Sequence, residues 1–464
     1  MVQYIKKNLL FIFVMPLLIN FVTNLFENNN NLISFYSENL IYVFSLFFSS
    51  YFLFILLKYI NSAFTVNSYS LSLCYILSGA FLFEFLLLPF RDFPKNNISL
   101  IIFLLGLITL ATLRMKSLST FFHLLISYLT MVVYNNYFYD RLANISNYIE
   151  WSSDVSVQWL EVSSRIHERG LFQVYYDNPI RGQGLFVSYT QSLIFKINFP
   201  LQEFEFSRIS TNLLILFSVL IFFDLKIMFK NKIFLSLGFI AYVLNSGWLT
   251  YLIFDSLMLE GLISFIFGVY IYHSYRYMSI KFSSKSIVFF VLFSALFESK
   301  EFLSTLGFIY ILYLLLWKRN VNTIASLVIF GIQHLYSKRY VYASSESPYI
   351  DGRSTLDLIF DILTFQNIDL DVIFKIISQF YVDKVTTYIF ICFIIISFIR
   401  VRSLHHRIEN RIIAIVVLNI VFIFILYTNW WNNIEIESSF RYFINSIYLI
   451  FIVIGLKIDK LTKL

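Results

Sequence analysis

The stretch from residue 285 to residue 336 reads KSIVFFVLFSALFESKEFLSTLGFIYILYLLLWKRNVNTIASLVIFGIQHLY. It contains three apolar runs, at 285–298, 302–317 and 321–336, separated only by short polar breaks. Each run approaches the roughly 20 mostly apolar residues that a helix needs to cross a bilayer. Because a backbone crosses lipid only when its own hydrogen bonds are satisfied, successive runs of this kind predict a bundle of membrane-spanning helices.

The composition of the whole chain agrees with this stretch. Of its 464 residues, 58% are hydrophobic and only 14% are charged, whereas a soluble domain carries about 25% charge. The 55 phenylalanines and 6 prolines exclude a disordered or low-complexity chain. The two cysteines, Cys74 and Cys392, lie in apolar runs and exclude a disulfide framework or a cysteine zinc site. We therefore predict an all-α polytopic membrane protein.

About fourteen apolar runs are candidate transmembrane helices. Their approximate positions are 8–26, 39–58, 70–90, 98–114, 118–138, 205–225, 233–251, 254–273, 285–298, 302–317, 321–336, 385–400, 411–428 and 441–457. The first run follows Lys6 and Lys7 and lacks a small-residue cleavage site, so we interpret it as a membrane helix rather than a signal peptide.

The distribution of Lys and Arg predicts the orientation of these helices. Basic residues concentrate in alternate loops, such as 226–232, 276–285 and 400–411, which the positive-inside rule assigns to the cytoplasm. Both termini are then cytoplasmic, and the long loops 140–204 and 338–384 lie on the periplasmic or equivalent face of a bacterial inner (plasma) membrane. The Lys and Arg residues of the cytoplasmic loops account for the net charge of +7, and no basic arm indicates a nucleic-acid partner.

The two long outer loops contain amphipathic segments. Loop 140–204 is too long to be a simple connection, and it includes SVQWLEVSSRIHERG (156–170) and GLFVSYTQSLIFKI (184–197). Loop 338–384 includes LDLIFDIL and LDVIFKIISQF. Such segments predict helices that lie in the plane of the membrane interface.

No GxGxxG, Walker, HExxH, GxSxG or CxxC motif is present, so the candidates for chemistry are ionisable residues at the outer face. Asp154 follows the fifth apolar run and is a candidate general base or metal ligand. Alternatively, Ser153 or Asp154 is the N-cap of the next helix. Asp255 is a candidate second acid facing Asp154, or simply a polar residue at a helix start.

Two further groups of outer-face residues are candidates for binding phosphate. Lys300 lies in FESKEFL between Glu298 and Glu301, where it can hold a phosphate or can form a self-neutralising turn. Arg441 opens the last apolar run, where it either binds a phosphate or carboxylate or extends towards lipid headgroups.

The remaining candidates are Arg181 and Arg339. Arg181 lies in YYDNPIRGQG and is a candidate substrate contact or part of a plain turn. Arg339 lies near His334 and Lys338, where the three side chains either bind a pyrophosphate or anchor in headgroups.

Taken in order, six segments resemble the GT-C glycosyltransferases, and specifically the branch of protein mannosyltransferases and aminoarabinose transferases. These segments are SSDVSVQWLEVSSRIHERGLF, NPIRGQGLFVSYTQSLIFKI, EFEFSRISTNLLILFSVLIFF, LTYLIFDSLMLEGLISFIF, ALFESKEFLSTLGFIYILYLLLWKR and ESSFRYFINSIYLIFIVIG. The chain departs from the family pattern at Val155, where many members have an acid, and at Asn178–Pro179, where a His–Pro–Pro type signature is reduced. The resemblance predicts a GT-C-like core at 116–457, preceded by extra transmembrane helices at 1–115.

The resemblance implies transfer of a sugar from a polyprenyl-phosphate donor to a hydroxyl of a glycan, lipid or protein acceptor on the non-cytoplasmic face. Cell-envelope polysaccharide biosynthesis is the expected setting. Asp154 is the implied base, and Asp255 orients the acceptor or shares a divalent metal (Mg or Mn) with Asp154. Lys300 and Arg441 neutralise the leaving phosphate. The other implied substrate contacts are Arg181, Glu298, Glu301 and Arg339.

Two alternatives belong to other classes of protein. A polysaccharide polymerase or O-antigen-ligase type protein would use loop 338–384, with Arg339 and Arg353 at the reacting site. A transporter without chemistry is disfavoured by the large outer loops and by the absence of helices broken by Gly and Pro pairs.

Overall fold

Almost all of the described chain is helical. The structure is a computed structural model, and it describes residues 57, 60, 61, 64, 68–86, 161–171, 174, 185–197, 220, 221, 224, 225, 239, 260–299, 301–340, 360, 364, 369–379, 384–398, 406–429 and 440–461. Of these residues 93% are helical, and none of them is in a strand. The prediction of an all-α protein is confirmed for this part of the chain.

The described residues form eleven α-helices and one 3₁₀ turn. The helices are α1 (Tyr69–Leu86), α2 (Glu161–Arg169), α3 (Phe186–Ile197), α4 (Glu260–Ser279), α5 (Ser284–Ser294), α6 (Glu301–Trp317), α7 (Val321–Tyr340), α8 (Leu370–Gln379), α9 (Lys384–Phe398), α10 (His406–Asn429) and α11 (Phe440–Leu461), and the 3₁₀ turn (Ala295–Glu298) joins α5 to α6.

Polar residues set the starts of the helices in the 285–336 stretch. Ser283 and Ser286 form a capping box, in which the Ser283 hydroxyl accepts from the Ser286 amide and the Ser286 hydroxyl accepts from the Ser283 amide. Before α7, the Asn320 side chain accepts from the Thr323 amide at 3.0 Å. Because these groups satisfy amides that lack a partner within the helix, each apolar run begins a new helix after its polar break.

The helix of the segment 156–170, α2, ends at a glycine. Gly170 follows α2 with φ of 81°, and its amide donates to the Ile166 carbonyl at 2.9 Å. A positive φ is readily adopted only by glycine, so Gly170 terminates α2. Val162 and Ile166 are buried, and α2 packs against α3.

The core of the bundle is built around α1, α4 and α11. Helix α4 packs along α11, which also contacts α9 and α10, while α1 packs against α3, α4 and α5. Close approach of α4 and α11 depends on Gly268, where an added Cβ would lie 3.1 Å from Tyr448 Cβ. Helix α1 belongs to the predicted N-terminal segment 1–115, and it packs against α3, α4 and α5 of the segment 116–457.

One end of the bundle gathers the starts of α1, α5, α7 and α10 and the ends of α4, α6 and α11. There the Asn322 amide donates to the carbonyls of Tyr277 and Ile280, at 2.9 and 2.8 Å. The buried side chains of Lys457 and Glu409 join α11 to α10, with Lys457 Nζ lying 3.9 Å from Glu409 Oε2. We call this the basic end, because its segments carry the basic residues Arg276, Lys281, Lys285, Lys318, Arg319, Arg411 and Lys457.

The predicted runs that overlap described helices differ from them by four or five residues at one end of α1, α7, α10 and α11, and the end of α4 differs by six. The run 254–273 was expected to end at residue 273, but α4 continues to Ser279. The reason is that Tyr275, Tyr277 and Met278 are buried and continue the packed face of the helix.

Within the described residues, one helix is long and apolar enough to cross a membrane. It is α1, with a mean hydropathy of 1.5. Shorter apolar helical segments occur at Val321–Tyr336, Thr386–Ile395 and Ser446–Lys457. The figure of about fourteen transmembrane helices stays a prediction.

Candidate functional site

The 3₁₀ turn that joins α5 to α6 buries a carboxylate. Glu298 is 1% exposed and Gln333 is 6% exposed. The Gln333 amide donates to Glu298 Oε1 at 3.5 Å, a long contact that joins the turn to α7. Next to it, the buried Ser299 hydroxyl donates to the Leu296 carbonyl. The FESKEFL segment was expected to be either a phosphate-binding turn or a self-neutralising one. In the structure, Glu298 of this segment is buried within the helix bundle.

A second carboxylate, Glu84, lies near the end of α1. The Tyr189 hydroxyl donates to Glu84 Oε1 at 2.9 Å, between residues 105 positions apart in the sequence. Tyr189 is buried, whereas Glu84 is partly exposed. Two causes raise the pKa of the Tyr189 phenol well above its ordinary value. The larger is burial, and the smaller is the nearby Glu84 carboxylate. Tyr189 therefore stays protonated and acts as a hydrogen-bond donor to the carboxylate.

Aromatic rings hold the three helices around Glu84 in place. Phe81 contacts Phe186 and Tyr189 of α3, with ring centroids 5.3 and 5.5 Å apart. Phe85 packs against Tyr336 of α7 at 5.1 Å. The Tyr336 hydroxyl donates to the Phe85 carbonyl at 3.1 Å and so satisfies one of the terminal carbonyls of α1. The position of α3 on α1 is therefore fixed by packing as well as by the Glu84 hydrogen bond.

These features lie at one end of the bundle, because the 3₁₀ turn contacts α1, α3 and α7. We call this the carboxylate end, defined by residues 84–86, 186–192, 295–299 and 333–336. It lies opposite the basic end, because α1 and α7 begin at the basic end and finish at the carboxylate end. Of its polar side chains, Glu298, Gln333 and Tyr189 are buried, and Glu84 is partly exposed.

The structure locates some of the predicted site residues and leaves others outside the described residues. Glu298 is buried in the 3₁₀ turn and Glu301 is the first residue of α6. Arg339 is in the last turn of α7, and Arg441 is in the first turn of α11, at the opposite end of that helix from Lys457. Of these four positions, Glu298 lies within the carboxylate end, and Glu301 and Arg339 follow its segments closely in the sequence.

The side chains of Glu301, Arg339 and Arg441 lie outside the described residues. So do the whole residues Asp154, Asp255, Lys300 and Arg181. The predicted convergence of Asp154, Asp255, Lys300 and Arg441 stays a prediction.

Sequence reasoning did not identify Glu84 and Tyr189. Glu84 is the only charged residue in the apolar run 70–90, and an isolated charge in such a run is by itself a signal of function. Tyr189 carried no comparable signal, because a lone tyrosine between Phe186 and Phe195 in the segment 184–197 is not unusual in so aromatic a chain.

Asp224, at the basic end, was also not identified. Its side chain is fully buried. It accepts from the Tyr69 and Ser70 amides, at 2.7 and 3.0 Å, and from the Ser68 hydroxyl at 2.8 Å. The Ser70 hydroxyl also donates to it. Asp224 therefore caps the N-terminus of α1 from a distant part of the chain, and its negative charge suits the helix dipole there.

The described residues do not form a metal centre. Among them no group of three or more His, Cys, Asp or Glu side chains is placed to hold a metal ion. The candidate metal ligands Asp154 and Asp255 are outside this part of the chain.

No protein-family model matches the chain, and neither a curated protein nor a solved structure matches it significantly. The GT-C resemblance therefore rests on the six sequence segments named above.

Proposed function

We propose that the chain is a polytopic membrane protein whose basic end faces the cytoplasm and whose carboxylate end faces the opposite side. The segments of the basic end carry the lysines and arginines that the positive-inside rule assigns to the cytoplasm. The carboxylate end instead carries Glu84 and Glu298, together with α3 from the predicted outer loop.

The outer surfaces of two helices support a lipid environment. On α7, apolar side chains spaced three or four residues apart are all more than half exposed, namely Val321, Ile324, Val328, Ile332 and Leu335. This stripe extends over roughly 21 Å of helix. Helix α9 presents a similar face with Tyr388, Ile391, Ile394, Ile395 and Phe398. Apolar faces of this length are suited to contact with acyl chains.

At the carboxylate end the protein transfers a sugar from a polyprenyl-phosphate donor to a hydroxyl acceptor. The observation that carries this proposal is the position of the Glu84–Tyr189 and Glu298–Gln333 pairs where α3 packs onto the bundle. A lipid-linked sugar has its tail in the bilayer and its sugar at the interface. It therefore needs hydrogen-bonding groups at the end of a bundle that is exposed to lipid along its sides.

The reaction needs a base and a means of neutralising phosphate. The acceptor oxygen attacks the anomeric carbon, its proton passes to the Asp154 carboxylate, and the bond to the donor phosphate breaks with its electrons on phosphate oxygen. Lys300 and Arg441 stabilise the negative charge on the departing polyprenyl phosphate. Asp255 orients the acceptor, or joins Asp154 in holding a divalent metal. A direct displacement of this kind inverts the configuration of the sugar carbon.

The test is transfer of label from a panel of radiolabelled polyprenyl-phosphate sugars by the protein in proteoliposomes. We expect transfer by the wild type and a loss of at least about 100-fold in Asp154→Asn, which removes the base but preserves side-chain shape. Asp371→Asn, which changes an exposed carboxylate of α8, is the matched control and should retain activity. Full activity in Asp154→Asn excludes Asp154 as the base, and a wild type that transfers no sugar contradicts the proposed function.

A further inference from the structure

Two turns at the basic end are joined into one surface, although one connects α4 to α5 and the other connects α6 to α7. The Asn320 side-chain amide donates to the Met278 carbonyl at 2.6 Å, and the Asn322 amide donates to the Ile280 carbonyl at 2.8 Å. We call these segments the paired turns, and they comprise residues 279–285 and 316–322. Because these hydrogen bonds fix the backbone where α4 ends, the paired turns have a defined shape.

The paired turns carry positive charge that no exposed carboxylate within them balances. Lys281 and Arg319 are exposed, Lys318 is partly exposed, and neither turn contains an Asp or Glu. Among the side chains that the structure describes at the basic end, the carboxylates are those of Asp224 and Glu409, and both are 0% exposed. This surface therefore attracts anions.

Lys318 lies close to a further positive charge. Its Nζ donates to the Ser279 hydroxyl at 3.3 Å, across the two turns. Burial and, to a smaller extent, the nearby Arg411 guanidinium lower the pKa of Lys318. Because like charges repel, an anion that contacts Lys318 stabilises both cations.

Exposed apolar side chains flank the cations in both turns. Ile280 and Phe282, 41% and 48% exposed, lie on either side of Lys281 in the sequence, and Leu316 and Val321, 77% and 58% exposed, enclose the cations of the second turn. A free phosphate or a nucleic-acid backbone matches cations alone. The headgroup region of a bilayer matches cations beside apolar side chains, because its phosphates lie directly outside its acyl chains.

We propose that the paired turns bind anionic phospholipids of the membrane leaflet at the basic end. Lys281, Lys318 and Arg319 contact the lipid phosphates, while the exposed apolar side chains beside them insert among the first carbons of the acyl chains. This inference rests on the membrane location proposed above and not on sugar transfer.

The test measures binding of phosphatidylglycerol and of phosphatidylcholine with identical acyl chains to the full-length protein in uncharged detergent, by native mass spectrometry. We expect the wild type to prefer phosphatidylglycerol. In Lys281→Gln/Lys318→Gln/Arg319→Gln the affinity for phosphatidylglycerol should fall roughly 100-fold, because each Lys or Arg beside an anionic membrane contributes about fivefold. The affinity for phosphatidylcholine should not change. Equal phosphatidylglycerol affinities in wild type and triple variant overturn the inference.

A matched control separates this surface from the net charge of the protein. Arg169→Gln/Lys375→Gln removes two exposed cations outside the paired turns and should bind phosphatidylglycerol as the wild type does. The comparable variant is Lys281→Gln/Arg319→Gln, which should lose roughly 30-fold in affinity. It also replaces the triple variant if that protein does not fold, because both side chains are exposed. Equal losses in the two double variants, or none in either, overturn the inference.

Two further measurements distinguish a lipid from other anions. Ile280→Ser/Phe282→Ser keeps every cation and should weaken phosphatidylglycerol binding roughly tenfold, since it removes the apolar contacts. Inorganic phosphate and single-stranded RNA should not displace the lipid. Unchanged affinity in the serine variant, or displacement by either competitor, assigns the surface to another anion and overturns the inference.

The outcome is separable from that of the sugar-transfer assay. A wild type that transfers no sugar but prefers phosphatidylglycerol contradicts the proposed transferase activity and supports the lipid site. A wild type that transfers sugar but binds both lipids equally overturns the lipid site alone.

Discussion

At the scale of single residues, the two ends of α1 carry carboxylate contacts with different consequences. At its start, Asp224 accepts from the Tyr69 and Ser70 amides. Near its end, Glu84 accepts from Tyr189. The sequence signals that Glu84 is unusual, but it cannot predict either partnership, because Glu84 lies 105 residues from Tyr189 and Asp224 lies 155 residues from Tyr69. Pairing over such distances depends on how the helices assemble.

Replacing Asp224 should destabilise the bundle without affecting the chemistry directly. Asp224→Ala leaves buried amides at the start of α1 without their acceptor, which predicts a loss of at least about 2 kcal/mol in the free energy of unfolding. Unfolding in mixed detergent and SDS measures it, with the exposed Asp371→Ala as control. Equal stability of the two variants would show that Asp224 does not hold α1.

At the scale of helices, the positions of apolar runs predict the described elements well where polar residues separate them. The runs 302–317 and 321–336 correspond to α6 and α7 because Lys318, Arg319 and Asn320 interrupt them. The end of α4 was predicted six residues too early, because hydropathy treats Tyr275 and Tyr277 as interfacial although both are buried. The pairing of helices, such as α4 with α11, depends on the complementary shapes of their surfaces. The hydrophobic periodicity of either helix alone does not predict it.

The contact of α4 with α11 should depend on the absence of a side chain at Gly268. Gly268→Val should cost about 1–3 kcal/mol of stability, because the added atoms meet Tyr448, 3.1 Å from the Cβ position. The matched control is Gly331→Val in α7, where nothing lies within 4 Å of an added Cβ. That variant should be neutral or stabilising, since glycine is a poor helix former. Thermal unfolding in detergent compares them, and a Gly268→Val protein as stable as Gly331→Val would contradict the proposed packing.

At the scale of the whole molecule, the proposed function depends on the separation of two chemically different ends. The basic end combines Lys and Arg with the Asp224 cap and the Glu409–Lys457 pair. The carboxylate end combines Glu84, Glu298 and the docked helix α3. The alternation of basic and polar loops predicts such a separation across a membrane, and this orientation stays a prediction. The side chains that gather at the carboxylate end were only partly predictable, because Glu84 lies outside the six segments that resemble the GT-C family.

Labelling of single cysteines in intact cells with a membrane-impermeant thiol reagent tests this separation most directly. In a chain carrying Cys74→Ala and Cys392→Ser, a cysteine replaces either exposed Arg319, at the basic end, or exposed Asp371, in the loop 338–384. We predict that Asp371→Cys is labelled in intact cells and that Arg319→Cys is labelled only after the membrane is opened. Labelling of Arg319→Cys in intact cells, or protection of Asp371→Cys, would contradict the membrane orientation and with it the placement of a sugar-transfer site at the carboxylate end.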